Sequence, residues 1–144
     1  MVSTKWMQGI DNISAALEIR KKVFYNELQV ADSCMPDIYD EFAFSVVVYE
    51  DDIPAGTGRL LFKDGKYIID NLCVLRQFRG KNYGDLIIRM LVRKGVNMGS
   101  KKTYAEVDES CVAIFKNIGF EKIKSLENGR QLMMKEGDVG GHCS

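Results

Sequence analysis

Residues Cys73–Ile87 read CVLRQFRGKNYGDLI. An apolar run ends at Val74, and an apolar pattern with helical spacing begins near Leu86. Between them stand Arg76, Arg79 and Lys81, with two glycines, Gly80 and Gly84. A strand-to-helix connection with so much positive charge and so little side chain has a physical reading. A helix N-terminus offers unpaired backbone N–H groups and a partial positive charge. Glycine lets a phosphate approach that backbone, and arginine and lysine add charge-assisted bonds. RGKNYG therefore reads as an anion cradle suited to a pyrophosphate. The plainer alternative is a helix start carrying solvated cations. No Gly-Lys-Ser/Thr follows, and the G-x-G-x-x-G dinucleotide pattern is absent, so two familiar phosphate motifs are excluded.

Outward from this stretch, YIIDNLCV (Tyr67–Val74) reads as the strand that feeds the cradle. AGTGRLLF (Ala55–Phe62) and FSVVVYE (Phe44–Glu50) are further strands, linked by the turns DDIP and KDGK. WMQGI is expected as a first strand, and SAALEIRKKVFYNEL sets Ala16, Ile19, Val23, Phe24 and Leu28 at helical spacing. Ala31–Asp40 reads as a loop or short helix. After the cradle, Tyr83, Leu86, Ile87, Met90 and Leu91 mark one face of a helix that ends near Gly95 or Gly99. KTYAEV (Lys102–Val107) is a strand, and Glu109–Ile118 a helix stopped by Gly119. EKIKSL and RQLMMKE are strands joined by the turn ENG. The alternation predicts an α/β (α+β) domain over residues 1–136, with a central sheet between helices. The tail at 137–144, GDVGGHCS, is expected to be mobile.

Bulk properties narrow the function classes. The 144 residues carry equal numbers of acidic and basic side chains, and 46% are apolar. Zero net charge argues against a general nucleic-acid binder. No apolar run reaches membrane-spanning length, and the N-terminus lacks a signal-peptide core. Cys34, Cys73, Cys111 and Cys143 lie far apart and the only histidine is His142, so no metal is expected. A reducing, cytoplasmic setting fits. Cys73 and Cys111 read as small apolar packing residues, since neither has a histidine nearby in the sequence to activate it.

The same stretch resembles the acetyl-CoA-binding motif of the GNAT N-acetyltransferase superfamily, Arg/Gln-x-x-Gly-x-Gly/Ala after a strand ending in valine. Arg79 matches the first position and Gly84 the last, while Asn82 replaces the middle glycine. Asparagine tolerates a left-handed backbone better than most residues. CVAIFKNIGF is similar to the closing helix of that family. The element order agrees from about Trp6 to Lys135. The resemblance implies a mixed, mostly antiparallel twisted sheet of about 6–7 strands, helices on both faces, and a splayed parallel strand pair.

It also implies a site. Acetyl-CoA would lie against Leu72, Cys73 and Val74, with its pyrophosphate on Arg79, Gly80, Lys81, Asn82, Tyr83, Gly84 and Asp85. The N–H near Val74 would polarise the thioester carbonyl. An amine is mostly protonated at neutral pH, so a base is useful. Asp70 holds a position where many relatives carry one, and Glu106 is second choice. An aspartate there also reads simply as the end of an exposed strand face. Relatives often place a tyrosine acid four residues before the closing Gly-Phe, next to the cofactor. Here that residue is Phe115, which cannot donate, leaving Tyr104, a water or unassisted thiolate release.

The N-terminal half is expected to bind the acceptor through Arg20, Phe24, Glu27, Asp40 and Arg59, with Asp37 nearby, although the charged members of this set equally read as surface salt bridges of little worth. Acidic groups favour a cationic amine, so a small-molecule primary amine is expected; a protein amine stays open. Arg20, Phe24, Asp37, Asp40 and Arg59 also match a series in acyl-homoserine-lactone synthases, which share the fold. Those proteins are longer and carry a tryptophan that this chain lacks after its first helix. A non-catalytic acetyl-CoA sensor is the third reading. Many relatives dimerise through their last strands, so ENGRQLMMKE is a candidate homodimer interface, although Leu132, Met133 and Met134 equally read as core.

Overall fold

The computed structural model describes residues 1–27 and 36–139. Leu28, Cys34, most of the expected loop before Pro36, and the tail at 140–144 lie outside the described residues. Seven strands form one sheet: β1 (Val2–Gln8), β2 (Phe44–Glu50), β3 (Ile53–Lys63), β4 (Lys66–Val74), β5 (Lys102–Val107), β6 (Glu121–Ser125) and β7 (Gln131–Glu136). Their order is β1-β2-β3-β4-β5-β7-β6, and every neighbouring pair is antiparallel except β4–β5. Among the described residues, three α-helices flank the sheet, with short 3-10 turns between elements. α1 (Ser14–Arg20) continues as a π-helical stretch at Lys21–Glu27, followed later by α2 (Tyr83–Asn97) and α3 (Val112–Ile118).

The opening strand departs from expectation. It begins at Val2 rather than Trp6 and ends before Gly9. As an edge strand with six of its seven residues exposed, it has no apolar alternation to mark its ends. The last helix also starts later, since Glu109–Cys111 forms a 3-10 turn before α3.

Residues on β3 alternate between two layers. On one side, Gly56 and Gly58 admit α2 against bare backbone. A Cβ on Gly58 would stand 2.7 Å from Ile87 Cγ2 and 2.9 Å from Leu91 Cδ1. α2 buries Tyr83, Ile87, Ile88, Leu91, Val92 and Gly95, a stripe turned from the expected one, because Leu86 and Met90 remain partly exposed. On the other side, Arg59 meets residues held by α1, and Ser45 on β2 lies opposite it. Thus α1 and α2 cover opposite faces.

Two irregularities open the site. Thr57 pairs with Cys73 and Arg59 with Asp70, so Gly58 on β3 faces both Asn71 and Leu72 on β4. This β-bulge bends the strand and shifts which residues face each side. Asn71 takes its left-handed corner at φ 52°. The parallel ladder between β4 and β5 covers only Tyr67–Ile69 against Thr103–Ala105. Beyond Ile69, β4 runs on to Val74 and β5 to Val107 without pairing to each other.

β7 lies between β5 and β6 and Met133 is fully buried, so β7 offers no free edge to a second copy. β6 is the sheet edge there. Gly137 N–H bonds Lys101 O, Asp138 pairs with Arg93, and Val139 packs on the core, so the chain is held through 139.

Candidate active site

The gap left by the diverging strands becomes a cleft of about 570 Å³. One wall is β4 at Leu72, Cys73 and Val74; the end of the cleft is the turn Arg79–Asp85 with the start of α2. The other walls come from Val23, Phe24 and Glu27 of the first helix, and from Asp108, Ser110, Cys111, Ile114 and Asn117 after β5. Of the expected cofactor residues, Leu72, Cys73, Val74, Arg79, Gly80, Asn82, Tyr83, Gly84 and Asp85 border this space.

Local geometry explains the cradle. Gly80 has φ 84° and Asn82, the residue before α2, has φ 65° and ψ 23°. Positive φ on either side of Lys81 is the kind of backbone from which an anion nest is built. Asparagine fills the place of a glycine because its side chain tolerates this conformation. Gly84 is different: its backbone is helical, and an added Cβ would meet only Ile114 Cδ1 at 3.7 Å, an ordinary contact. Protein packing leaves that position roomy, and what a side chain would fill is cleft.

Two cations of the motif are occupied within the protein. Arg79 sends Nε to the Val74 carbonyl at 2.9 Å and both terminal nitrogens to Glu27 at 2.8 and 2.9 Å. The bonds to Arg79 hold the Glu27 carboxyl below its usual range, against a smaller opposing effect of burial. Lys81 does not border the cleft. It pairs with Glu50 at 2.7 Å and lies over the Phe78 ring. Tyr83 donates to the same carboxylate, which raises its phenol to about 12.

The expected acceptor residues divide. Phe24 and Glu27 line the cleft, whereas Arg20, Asp40 and Arg59 are 1%, 1% and 3% exposed. Such burial gives a substrate no surface to touch. These side chains instead form one network with Asp37, Ser45 and Asp70. Arg20 Nη1 bridges both Asp40 oxygens at 3.2 Å. Arg59 reaches Asp40 at 3.1 Å and Asp37 at 2.7 Å, and grips Asp70 through two bonds of 2.8 Å. Burial opposes the Arg59 charge, but its bonds to Asp70 and Asp37 outweigh that and hold its proton more tightly than in a free side chain.

The three candidates for proton transfer are also distributed. Asp70 is engaged on both oxygens by Arg59. Glu106 accepts one bond from Arg130 at 3.3 Å and stands one residue past the last β4–β5 pair, although neither it nor Asp70 borders the cleft itself. Tyr104 packs near Ala43, Leu61 and Ile68 with Lys66 over its ring, within the paired part of the strands rather than at the cleft. Phe115 does not line the cleft. It is 2% exposed and stacks edge-on against Phe120 at 5.0 Å, because α3 turns that position into the core. Cys73 is a buried thiol pushed up to about 12 by burial, and Cys111 is raised for the same reason, so neither is an activated nucleophile.

Asp108, Ser110, Ile114 and Asn117 line the cleft without having been singled out from sequence. The available signal was position: ligands gather beyond the carboxyl ends of parallel strands, and Asp108 immediately follows β5. Among the described residues, no group of three His, Cys, Asp or Glu side chains could hold a metal ion. No helix there is long and apolar enough to cross a membrane. A coenzyme A thioester fits what is present: a strand edge of β4 that β5 leaves unpaired for the amides of its arm, a helix N-terminus for its pyrophosphate, and a glycine whose missing side chain leaves room.

Comparison with known proteins agrees with this geometry. Residues 13–120 match the model of the acetyltransferase (GNAT) family. An uncharacterised N-acetyltransferase of Bacillus subtilis (strain 168), YjcF, is 25% identical over 117 residues, covering 81% of this chain and 84% of that protein. An acyl-CoA N-acyltransferase from Pseudomonas aeruginosa superposes with a TM-score of 0.82 at 15% identity, over 94% of this chain and 99% of that one. PaiA N-acetyltransferase from Thermoplasma acidophilum, solved with coenzyme A, gives 0.73 at 11% identity over 95% and 99%. At these identities the two structures establish a shared fold.

Proposed function

We propose, because this chain belongs to the GNAT family of acetyltransferases, that it moves an acetyl group from acetyl-CoA to a primary amine of a small molecule, with both held in one complex. The observation that carries this reading is the separation of β4 from β5 beyond Ile69, opening onto the Gly80–Gly84 turn. Bound acetyl-CoA would supply the thioester carbonyl carbon that the amine attacks.

The chain's own groups have distinct tasks in this reading. The edge of β4 at Leu72–Val74 binds and orients the thioester arm, and a backbone N–H there faces the developing negative charge. The first turn of α2 neutralises the pyrophosphate. The attacking ammonium must first lose a proton. Glu106 suits that role better than Asp70, since one Glu106 oxygen is paired with Arg130 while both Asp70 oxygens are committed to Arg59. The amine nitrogen would then form the amide bond and give up one further proton to water, while the carbon–sulfur bond breaks and the thiolate leaves with its electron pair and takes up a proton from water. Phe115 and Tyr104 supply no acid in this scheme.

The test is thiol release from acetyl-CoA with a panel of primary amines. Glu106→Gln is expected to lower kcat by about a hundredfold or more, with coenzyme A affinity unchanged. Unchanged turnover in that variant would remove Glu106 from the proposal. Coenzyme A binding without turnover on any amine would favour the sensor reading, which draws on the loss of a tyrosine at Phe115. The acyl-homoserine-lactone reading is the less favoured one, since its matching residues Arg20, Asp40 and Arg59 bond one another in the buried network and do not border the cleft.

A further inference from the structure

Arg79 is committed to Glu27 across the mouth of the cleft, and that pairing has a consequence for the acetyl-CoA reading on which this inference rests. Glu27 comes from the end of the π-helical stretch after α1, and Arg79 from the loop between β4 and α2, 52 positions later. Ala16, Ile19 and Val23 form a buried stripe, and Glu27 continues it one turn on. A carboxylate therefore sits on the cleft side of the helix, where the pattern would place an apolar residue. Its side chain is 19% exposed, against 42% for Arg79. The same guanidinium covers the Val74 carbonyl, a backbone acceptor of the free strand edge.

We propose that Glu27 is a positioning residue that competes with the cofactor's pyrophosphate for Arg79, so that cofactor binding exchanges one anionic partner for another. A guanidinium offers its paired terminal donors to one fork-shaped anion at a time. Phosphate oxygens at the start of α2 would draw Arg79 off both Glu27 and Val74, freeing the strand carbonyl for the thioester arm. The other acidic residues bordering the cleft do not share this contact: Asp85 is held by Arg89 at 2.8 Å, and Asp108 forms no ion pair among the described residues. Arg76 lies 3.8 Å from Glu27 and can retain it after release. Glu27 thus sets how tightly the cofactor is held, which matters for letting the product thiol go.

Calorimetric titration of the full chain with coenzyme A at pH 7 tests this, using wild type, Glu27→Gln, Glu27→Ala, Arg79→Ala and Glu27→Gln/Arg79→Ala. Either single change at Glu27 is expected to tighten binding by about two- to fivefold. In the Arg79→Ala background the Glu27→Gln change is expected to do nothing. That coupling separates competition for Arg79 from simple removal of a negative charge, which would act in both backgrounds. Equal or weaker binding in both Glu27 variants overturns the inference, as does the same gain without Arg79. No binding by folded wild type instead overturns the acetyl-CoA reading, and the inference falls with it.

Discussion

Two arginine–carboxylate clusters flank β4, and they use the same chemistry for opposite ends. At the bulge, Arg59 and Arg20 are enclosed by Asp40 and Asp70, with Asp37 half-exposed at the rim and both guanidiniums nearly unexposed. At the strand's far end, Arg79 and Glu27 meet in an open cleft. A buried pair cannot be broken singly without stranding a charge in low dielectric. A half-exposed pair is worth little and can be exchanged for a better anion. Burial, more than the identity of the partners, decides which cluster holds the fold and which can take part in binding.

The largest expected effect follows from stranding charges in the enclosed cluster. Arg59→Ala leaves Asp40 and Asp70 without their shared partner and should cost about 3–5 kcal/mol, measured by urea unfolding. Arg20→Ala should act in the same direction with a smaller effect, since Arg59 still serves Asp40 at 3.1 Å. A marginal change in Arg59→Ala would show that water already reaches the cluster.

Between the clusters, Gly58 joins the bulge to α2. Gly58→Ala forces a Cβ to 2.7 Å from Ile87 and should cost about 1–3 kcal/mol, again by urea unfolding. Gly84→Ala sharpens the contrast. It meets no tight contact in the protein and replaces a helical glycine, so stability should hold or rise by up to about 1 kcal/mol. Coenzyme A affinity should nevertheless fall about tenfold or more, because the side chain enters the space proposed for phosphate. The smallest stability effect belongs to Arg79→Ala, within about 1 kcal/mol, while calorimetry should show weakened coenzyme A binding.

What could be read from sequence follows the range of the interactions involved. β2, β4 and β5 were legible because β-branched residues and turns mark them locally, and the Arg79–Gly84 turn because its glycines and cations are contiguous. Asparagine is a tolerable substitute for glycine where the backbone turns left-handed, and Asn82 takes that conformation at φ 65°. The outer strand β1 was placed too late because an edge exposed along nearly its whole length carries no pattern. Arg20, Asp40 and Arg59 stand out in the sequence as a set, read either as acceptor contacts or as surface salt bridges; that they pair in the interior is not legible, because burial of a charge depends on partners 19 and 20 positions away. Phe115 was placed beside the cofactor by analogy, whereas the turn of α3 directs it to Phe120. The Glu27–Arg79 pair could not be anticipated, since no local signal links residues 52 apart.

The most direct measurement is calorimetric titration of the full chain with acetyl-CoA, beside Gly84→Ala. The account predicts one saturable site in the micromolar range for the parent protein, weakened at least about tenfold in the variant, with both equally folded. No binding by the folded parent, or equal binding by the variant, would contradict the placement of the donor between β4 and β5.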